Sequence, residues 1–204
     1  MLQRTAVLNL KGDGIRRWVL ALSMMLLTAG SFLAASKAAD QPGIPPETVA
    51  DYLHSIIEAD RTFYSIHVVE RLQKGGGTKA AEDWRAKKNV LPLPAQFLIE
   101  ASELAAKTGS KVRYRLISLW PINPKNAPDG PLERQSLEAL REHPERSVMG
   151  TVKRGDTTYF QAMYADRAVS KTCIACHNGH RKSPKKDFTL HEVMGGLIIE
   201  IPLE

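Results

Sequence analysis

Cysteine is almost absent from this sequence. Only two occur among the 204 residues, Cys173 and Cys176, and they stand three positions apart in the stretch KTCIACHNGH. A tetrahedral zinc site needs four nitrogen or sulfur ligands and usually takes them from two separated pairs. No second cysteine pair exists here, and a cluster completed by His180 would be cramped, so the sequence disfavours zinc.

A large charge excess is also missing once the N-terminus is set aside. The formal net charge of the whole chain is +6, but residues 1–38 hold five of the cations and one acid, which leaves +2 for the remainder. A charge this small gives no compositional argument for nucleic-acid binding. Internal repeats and low-complexity segments are absent too, so the remaining length suits one compact domain.

The N-terminal segment has the pattern of a secretory signal peptide. Basic residues are concentrated in residues 1–17, the apolar run WVLALSMMLLTAGSFLAAS follows, and the small-residue stretch AASKAAD comes next. We predict a signal peptide over residues 1–38, cleaved after Ala38, and a flexible leader over residues 39–45. The mature protein is then periplasmic. The alternative is an uncleaved membrane anchor, because the apolar run is long enough to span a bilayer.

The histidine that directly follows the second cysteine separates the remaining uses of the pair. A disulfide or redox C-x-x-C has no need of it. Attachment of a c-type haem does, because the two thiols bind the porphyrin vinyl groups and the next histidine binds the iron. On a short helix, Cys173 and Cys176 would lie on neighbouring turns, with His177 directed at the iron. We therefore predict one covalently attached haem c with His177 as the proximal ligand.

The hydrophobic patterns predict an α+β fold, in which helices flank an antiparallel sheet. The first helix has Pro46 at its start and glycines at its end, and the stretch KVRYRLISLW alternates and is rich in β-formers. Helices are predicted over residues 46–74, 95–107 and 131–145, and strands over 111–120, 148–166 (a hairpin turning at RGD) and 195–204. Residues 46–204 would thus form one domain with the haem-attachment segment near its C-terminus.

Three stretches together resemble a family of bacterial periplasmic mono-haem proteins with a PAS-like fold. They are YRLISLWPINPKNAPDG, TYFQAMYADRAVSKTCIACH and MGGLIIEIPL. The resemblance spans residues 45–203. It implies a PAS-like antiparallel sheet on which the haem packs, with Cys173 and Cys176 attached and His177 bound to the iron.

The long first helix is predicted to be amphipathic. The stripe expected to face the core contains Val49, Leu53, Ile56 and Phe63. The opposite face, expected to be solvated, contains His54, Glu58, Arg61 and Ser65. His67 falls within the apolar stripe on the same wheel.

The distal iron ligand is the main open question. A thiolate is excluded because the thioethers use both cysteines. A neutral imidazole inside an apolar stripe needs a partner, so His67 is the candidate distal ligand, and a hydrogen bond to a backbone carbonyl is the alternative. Met163 is the next candidate, although a lone strand methionine also suits the core. A five-coordinate iron stays open.

Two basic features have a functional and a plain interpretation. Arg113 and Arg115 project from one side of their strand, and either one could bind a haem propionate or simply be exposed. The run HRKSPKK after the haem motif is either a solvated loop or a docking patch for an acidic redox partner.

Three functions fit a protein of this kind. Electron transfer through the haem iron is the favoured one, because the chain ends at Glu204 without an output domain. A haem-based redox or gas sensor acting through a separate partner is the alternative. An enzyme such as a peroxidase is not expected, because no distal acid–base pair can be identified in the sequence.

Overall fold

Residues 43–203 are described by the computed structural model. The predicted signal peptide over residues 1–38 therefore lies outside the described residues, as do residues 39–42 of the predicted leader. From Ile44 onward the chain forms a compact unit of its own.

A long helix opens the described part of the chain. Helix α1, Pro46–Phe63, continues through a π-helical segment, Tyr64–Glu70, into α2, Arg71–Lys74. Pro46 occupies the first helical position, where its missing N–H would have had no intrahelical partner. The predicted helix over residues 46–74 is confirmed in extent, but its π-helical part was not foreseen.

Three further helices follow at or near their predicted positions. They are α3, Pro94–Ala106, α4, Gly130–Glu142, and α5, Lys171–Gly179. Short 3₁₀ turns lie at Trp84–Ala86 and Pro124–Asn126. Within residues 43–203, no helix has the length and hydropathy that a membrane crossing requires.

A four-stranded antiparallel sheet organises the fold, with the strand order β3-β6-β5-β4. Its strands are β3, Arg113–Ile117, β4, Val148–Arg154, β5, Thr157–Arg167, and β6, Val193–Leu203. Strands β4 and β5 form the predicted hairpin, and Gly155 in its turn has φ of +60°, a conformation that glycine adopts without steric cost. A separate parallel pair, β1, Lys79–Ala80, and β2, Val90–Leu91, was not predicted, since two-residue strands show no periodicity.

Helices cover both faces of the sheet. On one face, Ala50 of α1 and Leu98 of α3 pack with Leu197 and Ile199 of β6. On the other face, Leu137 and Leu140 of α4 pack with Ile117, Met163 and Ile198. The α+β class, with an antiparallel sheet flanked by helices, is confirmed.

The predicted orientation of α1 is wrong in part. Ala50, Leu53 and Ile57 pack against the sheet, whereas Ile56 is 60% exposed and Phe63 is 62% exposed. The helix is therefore rotated relative to the stripe that hydrophobicity alone predicts.

Polar residues occupy the face that turns inward because each of them finds a partner there. The ring of His54 stacks on Tyr164 at a centroid distance of 3.9 Å. Arg61 pairs with Asp166 of β5, and buried Ser65 donates to the carbonyl of Arg61 at 2.7 Å. A helical wheel ranks these side chains as solvent-facing, since it has no knowledge of partners on other elements.

Gly195 allows the close approach of β6 to β3, and we expect its substitution to be severe. A Cβ at residue 195 would lie 2.3 Å from the carbonyl oxygen of Ile117, a backbone atom that cannot turn aside. Gly195→Ala should lower the free energy of unfolding by about 3 kcal/mol, as overpacking against rigid atoms does. Gly150→Ala is the matched control, because a Cβ at that strand position meets nothing within 4 Å. Urea unfolding that finds equal stability for both variants would contradict the expectation.

Candidate haem-attachment site

Helix α5 presents both cysteines from a single short element. Ser170 precedes the helix, and its side chain accepts a hydrogen bond from the backbone N–H of Cys173 at 3.4 Å. This is the usual role of serine at a helix N-cap. Cys173 is half-buried, Cys176 is exposed, and both are free thiols. The predicted short helix with two thiols one turn apart is confirmed.

An aromatic and aliphatic cluster packs against α5. Ala168, Phe188 and Met194 are buried there, and Trp120, Cys173 and Ile174 pack against them. The amide of Asn178 makes two hydrogen bonds with the backbone of Phe188: it donates to the carbonyl oxygen at 2.9 Å and accepts from the N–H at 3.0 Å. These contacts fasten α5 to the loop that follows it.

His177 directly follows Cys176, and its imidazole is half-buried. Its ring meets the edge of Phe188 at a centroid distance of 5.8 Å. Burial lowers the pKa of His177; the Asp166 carboxylate opposes that shift, and Arg61 and His180 add to it. The neutral form, which is the form that binds a metal, is therefore favoured.

A largely buried ion pair lies close to His177 and joins α1 to the end of β5. Arg61 and Asp166 make two side-chain hydrogen bonds, one of them from Nη2 to Oδ2 at 3.2 Å. Only 13% of the Arg61 side chain and 11% of the Asp166 side chain are exposed. Neither residue was singled out from the sequence, because 105 positions separate them and Arg61 was assigned to the solvated face.

Two buried nitrogens in this region have no hydrogen-bond partner in the described part of the chain. They are Nδ1 of His177 and Nε of Arg61. Buried polar atoms are nearly always paired in folded proteins, and an unpaired one often indicates a missing water, ion or ligand. Together with two accessible thiols beside a neutral imidazole, these atoms fit a haem held by Cys173, Cys176 and His177.

His180 makes its side-chain contacts with residues outside the cysteine pair. Its Nε2 lies 3.5 Å from Oε1 of Glu82, and its Nδ1 accepts a hydrogen bond from the backbone of Lys182 at 3.2 Å. Among residues 43–203, no three or more His, Cys, Asp or Glu side chains are placed so as to share a metal ion.

His67 lies on the surface of the π-helical segment. The π-helical segment that carries His67 packs against α5, but His67 itself is exposed. Its ring lies 5.0 Å from that of the exposed Phe63. The expectation of a buried imidazole is therefore wrong, since Ile56 and Phe63 of the predicted apolar stripe also face solvent. Distal ligation by His67 stays a prediction from the sequence.

Met163 is likewise not brought to the attachment helix. It is 1% exposed and packs with Leu137 and Ile198 beneath α4. Arg61 and Asp166 lie on the opposite face of the sheet, where α1 packs. The structure thus places Met163 where the core interpretation of a strand methionine predicted it.

Arg113 and Arg115 lie far from α5. Arg115 pairs with the buried Glu133, and the guanidinium of Arg113 lies 5.6 Å from the centroid of the Tyr159 ring. Strand β6 pairs with both β3 and β5: Arg113 is opposite Glu200, and Asp166 is opposite Gly195. These two β6 residues are five positions apart, which is about 17 Å along a strand. The structure therefore does not bring these arginines to the attachment site, and the arginine near His177 is Arg61.

The same two arginines line a separate cavity. It has a volume of about 500 Å³ and opens between α3, β3 and the start of α4. The charged side chains that line it are of both signs: Glu103, Arg113, Arg115, Lys125, Asp129, Arg154 and Glu200. These charges largely cancel, and no residue of α5 contributes to the lining.

Comparison with known proteins gives a family match and a structural likeness. The sequence model of a family described as Tll0287-like matches residues 45–202, nearly all of the described chain. No curated protein matches the sequence. The crystal structure of the cyanobacterial heme-protein Tll0287 aligns with 79% of this chain and 98% of its own, at 18% sequence identity and a TM-score of 0.49.

Proposed function

This chain belongs to the Tll0287-like family, and from that premise we propose that it is a haem protein. The haem is of the c type, one per chain, attached through Cys173 and Cys176 and bound at the iron by His177. The observation that carries the proposal is the geometry of α5, where two free thiols stand one turn apart and adjoin an imidazole whose buried Nδ1 has no partner in the described chain.

Each residue of the site has a separate task in this proposal. Cys173 and Cys176 hold the group by thioether bonds, so that it cannot dissociate. His177 stays neutral because it is half-buried, and Phe188 limits the rotation of its ring. When bound, haem iron supplies a one-electron redox change. Arg61 and Asp166 place a positive and a negative charge near His177, through which they influence the electrostatics of the site.

We propose electron transfer as the role of the haem, in an exported, periplasmic protein of PAS-like fold that is not an enzyme. The exposed thiol of Cys176 supports this role, because it places one attachment point of the haem at the protein surface. An electron carrier needs such an exposed edge to exchange electrons with a redox partner.

A haem-based redox or gas sensor is the second candidate, and the π-helical segment favours it. Tyr64–Glu70 lies against α5, and π-helical turns are frequent at functional sites. A change of ligand at the iron could be transmitted through this contact to α1, and from there to a separate partner.

One set of measurements tests the proposal and separates its two forms. The exported protein, run on a denaturing gel and stained for haem peroxidase activity, should show colour at the size of the mature chain. A band without colour, or haem that acidified acetone extracts, would refute covalent attachment. A low-spin spectrum that carbon monoxide leaves unchanged supports the carrier, whereas ready binding of carbon monoxide favours the sensor.

A further inference from the structure

The loop that follows α5 carries several exposed cations. This basic loop, residues 180–187, exposes Arg181, Lys182 and Lys186. Within residues 43–203, none of the three is joined to a carboxylate in an ion pair. Lys185 differs from them because its ammonium is neutralised by Asp187 at 2.5 Å and Glu192 at 3.2 Å.

The basic loop is anchored rather than free to sample many positions. Ser183 is buried, its hydroxyl donates to the carbonyl of Lys185 at 2.6 Å, and its N–H donates to the carbonyl of His180 at 3.0 Å. Directly after the loop, Phe188 is buried, and its backbone shares two hydrogen bonds with the side-chain amide of Asn178. The exposed cations are therefore held at a defined position relative to α5.

This position places the cations beside the exposed end of the attachment site. The loop begins four residues after Cys176, the more exposed of the two thiols. Glu82, which lies near His180, is the nearby carboxylate on this side. The exposed charge that Arg181, Lys182 and Lys186 contribute is positive, whereas the chain after its first 38 residues has a net charge of only +2.

We infer that the basic loop is the docking surface for an acidic redox partner protein. The inference rests on the proposed function, since a partner must approach the exposed edge of the haem to exchange an electron. Opposite charges on two surfaces accelerate encounter and orient the complex, and the effect weakens as salt screens it. Cations held rigidly near Cys176 would bring an acidic patch to that edge.

The first test measures the local field with small redox reagents of opposite charge. The ferrous protein is mixed in a stopped-flow instrument with anionic hexacyanoferrate(III) or cationic tris(phenanthroline)cobalt(III). Lys182→Glu with Lys186→Glu should slow the anionic reaction about five-fold at low salt and accelerate the cationic one, and both effects should vanish at high salt.

A matched pair of substitutions serves as the control. Lys107→Glu with Lys153→Glu changes the net charge equally, but at a different place. Lys153 is paired across the hairpin with Thr158, and Thr158 lies nine residues before Arg167, the last residue of β5. That is about 30 Å along the strand from the start of the α5 region. This control should alter both rates by less than about two-fold. Equal effects of the two double variants would overturn the inference.

A second test does not depend on the haem. A fluorescent poly-glutamate peptide should bind the wild-type protein at low salt and bind the Lys182→Glu, Lys186→Glu variant at least about ten-fold more weakly. Equal binding by both proteins would overturn the inference. So would specific loss of binding to phosphatidylserine vesicles in the variant, because the loop would then be a membrane-docking surface. A wild-type protein without covalent haem refutes the proposed function instead.

Discussion

Replacing both Cys173 and Cys176 with alanine should abolish covalent haem attachment altogether. Each thioether needs one of these sulfurs, and the chain contains no other cysteine that could substitute. The haem-stained band of the exported protein should therefore disappear, while immunodetection still finds the polypeptide. Single substitutions should leave a weaker band, since one thioether can still hold the group.

The fold itself should tolerate this double substitution. Cys176 is exposed and Cys173 only half-buried, so removal of the two sulfurs should cost about 1 kcal/mol or less in the haem-free protein. Circular dichroism of that protein should report unchanged helix and strand content. A stained band of undiminished intensity in the double variant would place the haem elsewhere.

Replacing Asp166 with asparagine should be the most damaging single change near the site. The substitution leaves the Arg61 guanidinium buried without a counter-ion, and breaking a buried pair from one side typically costs about 3–5 kcal/mol. Urea unfolding of the haem-free protein measures the loss directly. Asp83→Asn is the matched control, because its ion pair with Lys87 is half-exposed on both sides, and loss of such a surface pair should leave the urea midpoint nearly unchanged.

A double replacement separates the buried charge from the general packing of this region. Arg61→Met together with Asp166→Leu removes both charges and fills similar space, and exchange of a buried ion pair for apolar residues is often nearly neutral. The double variant should therefore be more stable than Asp166→Asn alone. An Asp166→Asn protein as stable as the wild type would show that the pair is not a significant contributor to the fold.

Asp166→Asn should also change the redox potential of the proposed haem. Loss of the Asp166 carboxylate makes the surroundings of His177 more positive by one charge. A more positive environment favours the ferrous over the ferric state, so the midpoint potential should rise. Potentiometric titration measures it, and an unchanged or lowered potential would contradict the electrostatic role given to this pair.

The secondary structure could be predicted from the sequence because its signals are local. Proline and glycine mark the ends of the first helix, and runs of apolar or β-forming residues mark β5 and β6, so these elements lie within a few residues of their predicted limits. The pair β1 and β2 could not be predicted, since two residues are too few to show a period. The π-helical turn also escaped, because a wheel assumes one constant rotation for each residue.

The orientation of α1 could not be predicted, for a different physical reason. Hydrophobicity ranks Phe63 above Arg61 for burial, yet Arg61 turns inward to Asp166 and Phe63 turns outward. A buried arginine is stable only with a paired carboxylate, and that carboxylate lies 105 positions away on another element. The assignment of His67 to the buried face was wrong for the same reason.

The sequence by itself determined the chemistry that we predict: two cysteines at the spacing of one helical turn, followed by histidine, indicate which atoms would hold a haem. Such a motif is complete within five residues, so no distant contact is needed to recognise it. Only the tertiary structure decided what surrounds those atoms. It brought Arg61 and Asp166 to His177, held Arg113, Arg115 and Met163 away from it, and fixed the basic loop beside Cys176. Burial and pairing across elements depend on how helices and strands pack, and a local pattern contains no record of that packing.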